Sequence, residues 1–383
     1  MRSSTGVAYV DHNIPGLVAF PPNYNITSGN PYLDGYFIIQ DKASCFPALL
    51  LVDAAAEGKL IDACAAPGNK TTQLAAFYSD STAPTRHTAS SVSGWGHSSK
   101  ADTTAKAPNP SSASEKSVFA FERSKERSKV LKTMIKRAHA DAIVEIHEET
   151  DFFEADPEDV RFTDVRGILL DPSCSGSGMI ERNEEVDLSL PAAQQTTTKQ
   201  SKKRKRVVED IEEEQSAAQG ETKTRLEALS KFQQRLIQRA MSFPGVVMIA
   251  YSTCSIHAEE NESVVIRALA STIAKEKGWT LLTRNQQFNG LKRWHIRGAK
   301  TACEEALKEV GGLEGWTAES IADTLLRCSK GSEDGTMGFF AAGFIRRYGD
   351  AEKEREMQKE RDARRLFEVE RQAKWDSLAS HGA

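Results

Sequence analysis

The chain has 383 residues, 39% of them hydrophobic and 27% charged, with a formal net charge of -4 at pH 7. That length suits one large domain with additions or two ordinary ones, and that charge excludes a polycation, so any nucleic-acid contact must come from local basic patches. Six cysteines, Cys45, Cys64, Cys174, Cys254, Cys303 and Cys328, include no CxxC pair. With no signal-like start and no run of about twenty apolar residues, they imply reduced thiols inside a cell, no membrane span and no metal site.

Residues 1–39 are rich in Pro, Gly and Asn and read as an extended segment. From Gln40, "DKASCFPALLLVDAAA" places apolar side chains at helical spacing. "GKLIDACAAPGNKTTQLAAF" then reads as a strand over Leu60–Ala63, a turn at Pro67–Gly68 and a helix opened by Thr71 and Thr72. Residues 79–116 are dominated by Ser, Thr, Pro and Gly with no hydrophobic period, which predicts disorder. Order resumes with the strand and basic amphipathic helix of "SVFAFERSKERSKVLKTMIKRA", the strand "DAIVEIH", and the strand ending in "ILLDPSCSGSGM".

A second low-complexity insert is expected over 187–224; it holds "KKRKR", Lys202 to Arg206, which suits a nuclear localisation signal. Beyond it come a helix in "RLEALSKFQQRLIQRAMSFP", a strand in "GVVMIAYST" running into Cys254, another helix, and late strands in "WTLLTR" and "MGFFAAGFIRR". Residues 349–383 form a highly charged helical tail, leaving one domain over 40–348. Strands alternating with helices predict an α/β fold, a mostly parallel sheet covered on both faces, with ligands at the carboxyl ends of its strands.

The residues of chemical interest collect at those ends. The loop "DACAAPGNKT", with Cys64, Ala65, Ala66, Pro67, Gly68, Asn69 and Lys70, offers small residues at a helix N-terminus. It matches neither GxGxxG nor GxxxxGK[ST], so neither dinucleotide nor P-loop machinery is present. Glu122 ends the second strand and suits ribose hydroxyls; removing residues 79–116 restores the usual spacing of about 20 residues from the glycine. Asp151, after the third strand, suits an adenine amino group, although a cap or turn is the ordinary use of such an Asp. A ribose and adenine pocket without phosphate machinery points to S-adenosylmethionine.

Two cysteines and an aspartate at neighbouring strand ends fit methylation of cytosine at carbon 5. That carbon is a poor nucleophile until a thiolate adds to carbon 6, after which a proton must leave carbon 5 and the enzyme must be expelled. Taken in order, "DACAAPGNKT", "DPSCSGSGM", "YSTCSIHAEENESVV" and "GFFAAGFIRR" resemble the NOL/NOP/Sun family of RNA cytosine-5 methyltransferases, most closely the branch acting on large-subunit rRNA. The resemblance covers about Asn30 to Arg347 outside the two inserts.

It implies a Rossmann-like class I methyltransferase with a seven-stranded, mostly parallel sheet and an antiparallel late strand. It also implies Cys254 as nucleophile, Cys174 as the cysteine assisting release, and Asp171 and Lys70 as residues positioning the base and handling protons. Residues Cys64 to Lys70, Glu122, Arg127 and Asp171 match methyl-donor contacts, with Asp151 a looser match. Cys45, Cys303 and Cys328 are expected in the core, and Cys64 in packing.

The family usually carries RNA-binding structure ahead of the catalytic domain, and too little chain precedes Asn30 to form it. The sequence is expected either to be incomplete or to hold RNA through other surfaces. The helix with Arg123, Lys125, Arg127, Lys129, Lys132, Lys136 and Arg137 and the segment "LKRWHIRG" are the candidates. The resulting expectation is a monomeric, nucleolar enzyme working on pre-ribosomal RNA. Two alternatives stand beside it: a DNA cytosine-5 methyltransferase, in which the Pro-Cys cysteine attacks, and a catalytically silent RNA-binding assembly factor.

Overall fold

A computed structural model describes residues 8–21, 24–27, 29–79, 117–179 and 224–347. The expected inserts, the basic run Lys202–Arg206 and the charged tail lie outside the described residues, boundary positions 79 and 224 apart. A small antiparallel hairpin of β1 (Tyr9–Val10) and β2 (Val18–Ala19) comes first. The strands of the main sheet are β3 (Lys59–Asp62), β4 (Val118–Glu122), β5 (Val144–Glu148), β6 (Val165–Leu170) and β7 (Met248–Thr253), followed by β8 (Trp279–Leu281), β9 (Leu326–Cys328) and β10 (Phe339–Arg346).

Seven strands run in the order β5–β4–β3–β6–β7–β10–β8, and β9 adds an eighth against the first residues of β10. From β5 to β7 every neighbouring pair is parallel, whereas β10 is antiparallel to β7, β8 and β9. The expected mostly parallel sheet with an antiparallel late strand is therefore present, with β9 as an addition.

Parallel strands covered on both faces need continuous apolar runs; "VFAFE" of β4 is buried at every position, as is "MIAYST" of β7. One face packs the helix over 224–242 and helices Glu262–Ala270, Lys300–Val310 and Ala318–Thr324 around Phe121, Phe162 and Phe243. The other packs helices Phe46–Leu49, Val52–Glu57, Asn69–Ser79 and Lys125–Arg137 around Leu60, Leu74 and Leu131.

The chain lays β3, β4 and β5 side by side in one direction, then returns to place β6 on the other side of β3. Loops leaving the carboxyl ends of β3 and β6 therefore diverge over opposite faces, which opens a crevice between them. The "DACAAPGNKT" loop lies on one side of that crevice and Asp171 on the other.

Two segments differ from the sequence reading. "DKASCFPALLLVDAAA" is not one helix but a 3-10 turn, Ala43–Cys45, followed by Phe46–Leu49 and Val52–Glu57. Pro47 sits in the first turn of the second piece, where its missing N–H is harmless; deeper in one long helix it would remove a bond. Residues before Gln40 are not simply extended, since they form the hairpin and a short helix, Asn30–Leu33, tied to the domain through Tyr32 and Arg137. No described helix is long and apolar enough to cross a membrane.

Candidate active site

β6 and β7 are paired in register, Leu170 opposite Tyr251, so the residues just beyond them face one another. Ser252 donates from its hydroxyl to Asp171 Oδ1 at 2.6 Å, and Cys174 Sγ lies 2.9 Å from Cys254 Sγ. The loop after Cys174 is sewn to the loop after Cys254. The Gly178 N–H donates to the Cys254 carbonyl at 2.9 Å, and the Ile256 N–H donates to Ser177 Oγ at 3.1 Å. The hydroxyls of Ser175, Ser177 and Ser255 cluster within 3.3 Å of one another.

The two thiols are unequal. A hydrogen bond from Cys174 holds Cys254 below the ordinary thiol range against the opposing effect of burial, and the Lys70 cation helps. The same hydrogen bond, with burial, pushes Cys174 well up, so Cys254 is the sulfur of the pair that gives up its proton more readily. Burial pushes Cys45 and Cys303 up to about 12 and Cys64 and Cys328 further still, so Cys254 is the thiol shifted downwards among the described cysteines. Cys45, Cys303 and Cys328 are in the core, as the sequence suggested.

Lys70 stands at the first turn of helix Asn69–Ser79 and reaches across the crevice. Its ammonium lies 2.7 Å from Asp171 Oδ2, donates to Ser44 Oγ at 2.8 Å, and sits 5.5 Å from the centre of the Phe339 ring. Burial works against the charge, yet the adjacent Asp171 carboxylate raises its pKa, so Lys70 stays an ammonium. Asp171 is gripped on both oxygens, by Lys70 and by Ser252, and its direction is fixed.

On the far side of Asp171 a pocket is lined by Cys64, Glu122, Arg127, Asp151 and Asp171. Glu122 is buried; one oxygen accepts from the Ser124 N–H at 2.8 Å and the other lies 3.5 Å from the Arg127 guanidinium. Asp151 caps the turn after it through the Phe153 N–H and keeps its second oxygen 3.6 Å from Arg123. Its capping use and its place on the pocket wall coexist.

Ala65, Ala66, Pro67, Gly68 and Asn69 do not line this pocket among the described residues. The Ala65 N–H is bonded to the Phe121 carbonyl and the Cys64 N–H to Asp62, so these two amides are not the open donors the sequence suggested. The loop is instead braced for shape. Arg127 donates to the Ala66 carbonyl at 2.6 Å and Asn69 to the Ile39 carbonyl at 2.6 Å. Gly68 takes φ +114°, where a side chain is strained and a Cβ would also press on Met134 at 3.0 Å.

Several residues of the site have no role in the sequence reading, although Asp62 and Glu260 stand inside its motifs. Asp62 lies buried beneath the loop, bonded to Thr71, with its pKa raised by burial to about 6. Ser44, Gln233 and Glu260 are brought in from distant segments. The segment "LKRWHIRG" is a correction: Trp294 is 2% exposed, edge-on to Phe46 with its ring N–H on the Arg327 carbonyl, and Arg297 is bonded inward to Gln287 and Leu291. A stacking platform needs an open ring face, and this ring is core. On the basic helix, Lys125 and Lys132 face Glu149 and Glu148, which neutralises part of that surface.

No family model matches the chain. It is similar to the 25S rRNA (cytosine-C(5))-methyltransferase of Schizosaccharomyces pombe, 32% identical over 335 residues, which is 87% of this chain and 55% of the relative. It is similar also to a mouse 28S rRNA (cytosine-C(5))-methyltransferase, 33% identical over 68% of this chain and 42% of the relative. The chain thus spans about half the length of the curated relatives it matches. Among solved structures, PH0851 superposes with a TM-score of 0.50 at 22% identity, over 88% of this chain and 54% of that one. That likeness concerns the fold.

Proposed function

The chain belongs to the NOL/NOP/Sun family, and from that premise we propose that it methylates carbon 5 of a cytosine in RNA, with S-adenosylmethionine as methyl donor. The observation that carries the proposal is the meeting of Cys254, Cys174, Lys70 and Asp171 at adjoining strand ends, beside a pocket walled by Glu122. The names of the relatives support large-subunit rRNA as the substrate class. Work on rRNA favours a nucleolar site of action.

The residues present fit the methyl donor. A buried carboxylate, Glu122, suits a pair of ribose hydroxyls, and Asp151 across the pocket suits an exocyclic amine. When bound, S-adenosylmethionine supplies an electrophilic methyl group that carbon 5 takes up. In our reading the Cys254 thiolate adds to carbon 6, forming an S–C bond and shifting the ring electrons towards carbon 5. Asp171, held by Lys70 and Ser252, presents an oxygen to the amidine edge of the base, and the Lys70 ammonium offsets charge that builds on the ring. Once carbon 5 is methylated, solvent water takes its proton, the C5–H electron pair reforms the C5–C6 double bond, and the C6–S bond breaks so that Cys254 leaves as thiolate. Cys174, whose S–H faces that sulfur, stabilises the departing thiolate by hydrogen bonding.

The rival with Cys174 as nucleophile is disfavoured by the opposite shifts of the two thiols, Cys174 pushed up and Cys254 held down. A silent assembly factor has no use for a half-buried lysine, aspartate and thiol pair held this closely, and it is not favoured. Bisulfite mapping of rRNA from cells with and without the protein tests the reading: one cytosine losing protection supports it. Unchanged methylation throughout sinks it.

A further inference from the structure

Cys174 is gripped from both sides by buried polar groups that neither the methyl donor nor the base requires. Gln233, buried on the helix over 224–242, donates from Nε2 to the Ser173 carbonyl at 3.1 Å and to Glu260 Oε1 at 3.0 Å. Glu260 is 0% exposed, and the Ser175 N–H points between its carboxylate oxygens at 3.0 and 3.2 Å. Tyr251 of β7 closes the set, its hydroxyl 2.6 Å from the Glu260 carbonyl and 3.2 Å from Gln233 Oε1. Ser173 and Ser175 are the two neighbours of Cys174, so the grip is on the peptide groups that flank it.

Burying a carboxylate costs several kcal/mol unless its oxygens are well bonded. Here the bonding comes from two N–H groups, one belonging to the residue after Cys174. A loop that needed only to be closed could use neutral partners. A carboxyl group takes the Ser175 and Gln233 N–H groups together, which narrows the positions open to the loop. The serine cluster and the Gly178 bond hold the same loop further along, but none of them touches the peptides next to the sulfur.

We propose that Glu260 and Gln233 are positioning residues for Cys174: by clamping its two flanking peptides they set its sulfur against that of Cys254, both to activate Cys254 for attack and to help it leave the methylated base. The second role rests on the release reading given above; the first does not.

The test uses the full chain carrying Glu260→Gln or Gln233→Met, each checked for a native circular dichroism spectrum. Without RNA, the alkylation rate of Cys254 by iodoacetamide is followed against pH. Both variants and Cys174→Ala should move the midpoint upwards and slow alkylation at neutral pH, about tenfold for one unit of displacement. With S-adenosylmethionine and substrate RNA, both should also accumulate the covalent protein–RNA adduct, with no further increase when either is combined with Cys174→Ala. A wild-type alkylation profile in a folded variant overturns the clamp, whatever RNA does. Should Cys174→Ala itself fail to accumulate adduct while the profiles still shift, the release reading falls and the activating role of the clamp stands. If Glu260→Gln does not fold, Gln233→Met decides alone.

Discussion

Cys174 and Cys254 lie 80 residues apart in the chain and 2.9 Å apart in space. They meet because β6 and β7 are parallel neighbours in register and each carries its cysteine just past its carboxyl end. The two thiols are shifted in opposite directions, which suits the different halves of the reaction proposed for them.

Replacing each cysteine should therefore give opposite products. Cys254→Ala abolishes both methylation and covalent attachment to RNA. Cys174→Ala accumulates a covalent adduct that survives denaturing electrophoresis. The reverse pattern would return the attack to Cys174.

The depressed pKa of Cys254 fixes a pH window. A thiol whose pKa is lowered is in its reactive form above that value and loses reactivity as pH falls through it. Alkylation of Cys254 should half-saturate below the roughly pH 8.5 of a free thiol, while Cys45 and Cys303 stay unreactive to about pH 12. Peptide mapping after alkylation at stepped pH values measures this; a Cys254 profile at or above the free-thiol value contradicts it.

Glu122→Gln should weaken binding of S-adenosylmethionine, because a hydrogen bond to a charged group contributes about 1.5–3 kcal/mol, or roughly tenfold to a hundredfold in affinity. Titration calorimetry gives the affinity. The alkylation profile of Cys254 should be unchanged in the same variant, since Glu122 belongs to the pocket and not to the thiol pair. Unaltered affinity would remove the ribose role from Glu122.

Half-buried Arg327 pairs with the fully buried Glu262 and also donates to the Ile256 carbonyl in the loop after Cys254. Arg327 Nε and Nη2 lie 2.7 and 2.6 Å from the two oxygens of Glu262, which also accepts the Ala299 N–H at 2.8 Å. Arg327→Met leaves that carboxylate without its cation and should cost about 3–5 kcal/mol, read from urea unfolding. A loss below about 1 kcal/mol would mean that the charge is relieved by water or protonation.

Much of the fold was legible because parallel strands buried on both faces leave apolar runs, such as "VFAFE", that punctuate the sequence. The strand ends then carried Cys174, Cys254, Asp171 and Glu122 to one edge without further information. What stayed hidden was long-range. Gln233 looks like any polar residue of an amphipathic helix, and Glu260 like any acid after a strand, until the fold sets both against Ser173 and Ser175. Ser44 escaped for a local reason: Pro47 broke the expected helix and freed the preceding turn to meet Lys70. "LKRWHIRG" misled because alternating basic and aromatic residues look alike on a surface and in a core; Trp294 is buried and Arg297 feeds inward bonds.

Gly178 and Gly338 bear on how variants of this gene would be read. A Cβ on Gly178 would fall 2.2 Å from the Gly338 carbonyl oxygen and 2.9 Å from that of Cys254, and one on Gly338 would fall 2.7 Å from Gly178 Cα. Both obstacles are backbone, which cannot swing aside as a side-chain tip can. Even the smallest replacement must push the loop of one cysteine from that of the other. In the proposed mechanism, a missense change at either glycine would thus act by displacing the loop that carries Cys174, from a position outside the pocket lining.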